Sequence, residues 1–119
     1  MQLYIESAMK NYFKAQYELG KLYFDGEIVD KNYEASVEWL LKAATQNDLS
    51  AQYLLGLVYG LEKSIVQNNI DSFAWLSIAS INGHEEAPAI REQVKQKLTP
   101  ENLSLAKKRF DELFSTTRK

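Results

Sequence analysis

The sequence predicts an all-α solenoid of antiparallel helix pairs, closed at its C-terminal end by one capping helix. Three observations carry that reading. The chain repeats itself at a 36-residue offset, the repeated positions fall on single helical stripes, and an amphipathic segment follows Thr99-Pro100.

Ala15-Gln16-Tyr17-Glu18-Leu19-Gly20 returns as Ala51-Gln52-Tyr53-Leu54-Leu55-Gly56. The same offset links Tyr23 to Tyr59, Asn32 to Asn68, Ser36 to Ser72, Trp39 to Trp75, Leu40 to Leu76 and Ala43 to Ala79, giving 11 identities in 36 positions. Ordinary composition yields about two or three by chance. Residues 15, 19 and 23 are spaced i, i+4, i+8, and residues 32, 36, 39, 40 and 43 share a second stripe; both spacings belong to helices. The repeated positions are therefore the buried faces, as stacking of equivalent units demands.

Each element follows in order. Residues 2–11 align with the later Trp39–Ala44 region and read as the second helix of an incomplete first repeat. Helices are expected at 13–25 and 32–46, then at 50–61 and 69–82. Asn32 and Asn68 are placed to cap the second helix of each pair. Gly20 and Gly56 lie inside helical stripes, where glycine costs about 1 kcal/mol relative to alanine. Their shared register predicts a close approach of the partner helix. Ala87 continues the register of Ala15 and Ala51, so a third first-type helix is expected at 85–98, with Pro88 in its first turn. Thr99 can cap and Pro100 can open a last helix at 100–115. There Leu103, Ala106, Phe110, Leu113 and Phe114 form the apolar stripe, while Lys107, Lys108 and Asp111 face outward. The expected organisation is a repeat array over 1–98, with a partial repeat 1–11, repeats at about 12–47 and 48–83 and a third first helix at 85–98, followed by a cap at 99–119.

The repeat resembles the Sel1-like repeat, a relative of the tetratricopeptide (TPR) repeat. The residues that carry the resemblance are Ala15–Gly20, Tyr23, Gly26, Val29 and Trp39–Ala44, and in the second copy Ala51–Gly56, Tyr59, Ile65 and Trp75–Ala79. Ile28 departs from the family's second loop glycine, and the loop Leu61–Gln67 lacks both loop glycines, so a different loop shape is expected there. The resemblance implies a right-handed superhelix with a concave face and a role as an adaptor in protein complexes, often bacterial. A cysteine-rich subset of the family hydrolyses β-lactams; this chain has no cysteine and does not match it.

Composition narrows the function further. The 119 residues suit one domain, with 45% hydrophobic and 25% charged side chains. The net charge is −2, but residues 1–90 hold six basic against twelve acidic side chains and residues 91–119 eight against four. An acidic body repels phosphate backbones, so no nucleic-acid partner is expected. The absence of cysteine removes disulfides and thiolate chemistry. No signal peptide is read at the start and no run approaches a membrane span, so a cytoplasmic location is the default expectation.

No catalytic motif is found, and a non-enzymatic protein without cofactor or metal is expected. His84 is the only histidine. His84-Glu85-Glu86 begins like a zinc helix, but Pro88 stands where the second ligand belongs; a capping role at the helix junction is the better reading. Trp39 and Trp75, at one register on apolar stripes, read as core residues.

The concave face of such a solenoid is lined by the first helix of each pair. Opposite the buried stripe lie Lys14, Tyr17, Lys21 and Phe24, then Ser50, Tyr53, Leu57 and Gly60. Tyr17, Phe24, Tyr53 and Leu57 are expected to form an apolar strip flanked by Lys14 and Lys21, suited to a peptide or protein partner with an acidic residue. The alternative for the tyrosines is packing between repeats. Two other functions are open at this point: self-association through the half repeat carrying Leu3, Tyr4 and Ile5, and, by analogy alone, a hydrolase.

Overall fold

The structure, a computed structural model, describes residues 2–10, 12–61 and 67–117. Among these it contains seven helices and no strand: α1 (Gln2–Met9), α2 (Phe13–Asp25), α3 (Tyr33–Thr45), α4 (Leu49–Gly60), α5 (Asn69–Ile81), α6 (Ala87–Lys95) and α7 (Pro100–Thr117). The helices α2–α3 and α4–α5 are antiparallel pairs, and successive layers stack into an α-solenoid, as the repeat predicts. The helix α6 is shorter than the expected 85–98. Its last turn tightens into i→i−3 bonds, Lys97 N–H to Val94 O at 2.9 Å and Leu98 N–H to Lys95 O at 3.1 Å.

Local chemistry sets the helix ends. The Oδ1 atoms of Asn32 and Asn68 accept the backbone N–H of Ala35 and Asp71, each at 3.0 Å. Thr99 Oγ1 accepts from Asn102 N–H at 3.1 Å. The helices α3 and α5 close in the same way. Asn47 and Gly83, one repeat apart, take left-handed backbones with φ of 68° and 97°. The next N–H groups, of Asp48 and His84, then bond back to Ala43 O and Ala79 O at 3.2 and 2.9 Å.

Bonds that recur at the repeat offset tie the two helices of each layer to one another and each layer to the one before. Ser36 Oγ donates to Gly20 O at 2.8 Å and Ser72 Oγ to Gly56 O at 2.7 Å. The buried Gln16 and Gln52 donate to Ala8 O and Ala44 O of the preceding layer at 3.0 and 3.2 Å. Gln46 and Asn82 in turn donate to the side-chain oxygens of Gln16 and Gln52 at 2.7 and 2.9 Å. Pro88 occupies the corresponding place in α6 and has no side-chain donor, so this polar ladder ends there. The connecting loops close with the same bond, Asn32 N–H on Tyr23 O and Asn68 N–H on Tyr59 O, but they leave their helices differently, through a left-handed Gly26 and an extended Leu61. The expected difference in shape between the loops falls on residues 62–66, outside the described residues. So do the side chains of Leu3 and Tyr4; Ile5 is half-buried.

The core runs continuously through both pairs, from Leu40, Leu55 and Val58 to Trp75, and α7 adds Leu113, Phe110 and Phe114 to it. A second cluster joins Phe73, Leu76, Ala87, Val94 and Ala106. The helix α7 lies mainly on α5 and barely touches α6. It is fastened to the start of α5 by Arg109, whose Nε is 3.0 Å from Asp71 Oδ1. This placement corrects the expectation of two equivalent core tryptophans. Trp75 is 1% exposed, whereas Trp39 is only half-buried, with Lys42 Nζ 5.7 Å from its ring. The helix α7 covers the outer side of α5 but meets α3 only marginally.

Candidate functional site

The first helices of successive layers, α2, α4 and α6, present one face with two neighbouring clefts. The first has a volume of about 260 Å³ and is lined by Tyr17, Lys21, Phe24 and Asp25 of α2, Tyr53 of α4, and His84. The second, about 190 Å³, lies between Leu57 and Gly60 of α4, Ile90 and Val94 of α6, and Lys97 in the turn that follows. The structure thus brings together Tyr17, Lys21, Phe24 and Tyr53 of the expected strip. Leu57 belongs to the adjoining cleft, and Lys14 is exposed and lines neither.

The four apolar residues of the strip are half-buried, because packing and exposure are shared within each side chain. Tyr17, Phe24 and Leu57 pack on the first core cluster and Tyr53 on the second. Phe24 also meets Tyr33 with ring centroids 6.0 Å apart. Burial raises the pKa of both cleft tyrosines. The charges of Glu18, Asp48 and Asp25 add to this at Tyr17, and that of Glu86 at Tyr53. Their hydroxyls are therefore hydrogen-bond donors at neutral pH. Lys21 Nζ stands 4.0 Å from Asp25 Oδ2, one helical turn on. Such an exposed pair is worth little and leaves the ammonium available to a partner.

His84 is the residue that sequence reasoning placed only as a cap. Its Nδ1 accepts the backbone N–H of Glu86 at 3.2 Å, a turn contact ahead of α6, whose N-cap residue is Glu86 itself. Its ring also stacks on Tyr53, with centroids 3.9 Å apart and planes 16° from parallel. The register held the signal: His84 lies 36 residues after Asp48, and Asp48 stands near Tyr17 as His84 stands on Tyr53. The residue that opens each layer faces the cleft tyrosine of the layer before. A larger cavity, about 300 Å³, lies away from this face between α5, α6 and α7, and no sequence expectation touched it. Among the described residues, no three His, Asp or Glu side chains gather to hold a metal, and no helix is long and apolar enough to cross a membrane.

Stacked antiparallel helix pairs define a protein of the helical-repeat class. The Sel1 repeat family model matches residues 13–48 and 49–84, two consecutive copies, and the chain belongs to the Sel1 repeat family. Among solved structures it is similar to a protective antigen of uropathogenic Escherichia coli strains that displays an SLR fold. The TM-score is 0.89 at 26% sequence identity over 98% of this chain. The chain spans 25% of that antigen's length. A comparison with curated proteins finds no match. Folds of this kind are typically non-catalytic repeat scaffolds, and proteins built from them generally bind other proteins.

Proposed function

We propose that this chain is a non-enzymatic interaction scaffold that holds a protein segment across the face formed by α2, α4 and α6. In this reading residues 1–98 are the binding array and residues 99–119 its cap. The observation that carries the proposal is the cleft between α2 and α4. It gathers the half-buried rings of Tyr17 and Phe24 and the His84-stacked ring of Tyr53 beside the Lys21 ammonium. Half-buried aromatic rings lose little conformational entropy on binding and supply most of the apolar contact, while a cation at the rim selects an acidic neighbour. The second cleft, at Leu57 and Gly60, accepts a further apolar side chain of the same segment. The preferred partner is therefore a peptide with an acidic residue close to aromatic or aliphatic ones.

The test is selection from a displayed random-peptide library on the whole chain, followed by NMR titration of the selected peptides. Enriched peptides should combine acidic and apolar residues and should shift backbone amides of α2 and α4. Lys21→Glu and Tyr53→Ala should each weaken binding about tenfold or more. Enrichment of basic peptides, or affinity untouched by both substitutions, would refute the proposal.

A further inference from the structure

The third layer departs from the first two at several registers, and one of these departures lines a cavity. Residues 19, 55 and 91 lie one repeat apart. Leu19 and Leu55 fill that position with fully buried side chains, and in α6 the residue is Arg91. The second-helix position that accompanies it changes as well. Leu41, which packs on the core in α3, is replaced in α5 by Ser77. Two aliphatic side chains of the regular layer have become a hydrogen-bonded polar pair, with Arg91 Nε donating to Ser77 Oγ at 2.7 Å.

The guanidinium is held in place rather than released to solvent. Ser77 is buried and passes its own hydrogen to Phe73 O at 2.8 Å, which leaves its oxygen to accept from Arg91. The Arg91 guanidinium carbon lies 4.4 Å from the centre of the Phe73 ring. Its side chain is 31% exposed. Placing a cation at a leucine position costs desolvation that a leucine would avoid. The space around it is the cavity of about 300 Å³, walled by Phe73, Ile81, Pro88 and Phe110, with Lys107 of α7 contributing a second cation. It exists because α7 lies on α5 and leaves α6 largely uncovered.

We propose that this cavity binds a carboxylate carried on a short apolar body, with Arg91 as the anion anchor. Its volume lies at the lower end of small-ligand pockets, and it has the usual pattern of apolar walls and few convergent polar groups. Two cations face one carboxylate, that of Glu92, whose Oε1 is 3.1 Å from Arg91 Nη1. Glu92 is 57% exposed, so its carboxylate can rotate outward and yield the guanidinium to a ligand. A free organic acid and the C-terminal carboxylate of a polypeptide ending in an apolar residue present the same chemistry.

The experiment titrates the isotope-labelled whole chain with 3-phenylpropionate, with its primary amide, and with a short peptide ending in leucine and phenylalanine, free or amidated at its C-terminus. A carboxylate ligand should shift the resonances of Ser77, Ile81 and Arg91. The matching amide should bind about tenfold or more weakly, the worth of one charge-assisted hydrogen bond. Response to the acid alone assigns the site to small organic acids, and response to the free peptide alone assigns it to chain termini. Arg91→Leu restores the residue found in both earlier layers and should fold with unchanged helicity while losing binding. Glu92→Gln should tighten binding several-fold, and Lys107→Gln should weaken it without touching the interior. Equal binding of acid and amide, shifts confined to α2 and α4, or undiminished affinity in both Arg91→Leu and Lys107→Gln would overturn the assignment. The first-helix face is not involved, so failure here leaves the scaffold proposal standing.

Discussion

Gly56 meets Leu76 so closely that a methyl group at position 56 would lie 2.6 Å from Leu76 Cγ; one repeat earlier, the same atom at Gly20 would lie 2.7 Å from Leu40 Cγ. Alanine is the better helix former by about 1 kcal/mol. Here the gain is outweighed, because Leu76 Cδ2 also lies only 2.8 Å away and the fully buried Leu76 side chain would have to shift. Gly56→Ala should destabilise the chain by about 1–3 kcal/mol, the usual cost of overpacking. Urea denaturation measures this, and a stabilised variant would disprove the packing account.

Gln52 joins three elements through one buried amide. It donates to Ala44 O and Asn47 Oδ1 and accepts from Asn82. Gln52→Leu keeps the volume but removes three hydrogen bonds, each worth about 0.5–1.5 kcal/mol; Ala44 O keeps the Asn47 N–H, and Asn47 Oδ1 keeps Asn82 Nδ2. The expected loss exceeds that of a Gln46→Leu change, because the exposed Gln46 side chain bonds to one other helix only, through Gln16.

Burial holds the Asp48 carboxyl above its ordinary pKa of 3.8. The Ala51 and Ser50 N–H groups and Lys14 pull it down less strongly, and Glu18 pushes it further up. The native state therefore binds this proton more readily than the unfolded chain. Stability falls as pH rises through the interval above 3.8, and the penalty is fully present at neutral pH. Asp48→Asn keeps a residue that caps helices well. It should raise Tm at pH 7, with the difference from the parent chain closing as pH falls below the carboxylate range. Equal Tm values at pH 7 would contradict this.

The two tryptophans should report unlike surroundings. Trp75→Ala removes a buried indole and should cost about 3–5 kcal/mol. Trp39→Ala removes a half-exposed one and should cost about 1–2 kcal/mol. In a Trp75→Phe chain the remaining fluorescence should be readily quenched by iodide, and in a Trp39→Phe chain it should be shielded.

Much of the candidate face was legible from spacing. Tyr17, Lys21, Phe24 and Tyr53 do share a cleft, because residues three or four apart on a helix share a side and the repeat carries that side from α2 to α4. Leu57 fell into the next cleft and Lys14 into neither, since the position of α6 and the angle of α2 decide where one hollow ends. His84 was read as a cap and also stacks on Tyr53; the stack depends on which layer the loop residue leans against.

The sequence by itself determined the helices, their caps, the 36-residue layer and the glycines at which paired helices close, as each is encoded in residue spacing or in a single residue's conformational preference. The tertiary structure alone decided that Trp75 is sealed while Trp39 is not, and that a cavity opens around Arg91. Both follow from the path of α7 across α5. Burial depends on what another part of the chain brings to a surface, and no local periodicity specifies that arrival.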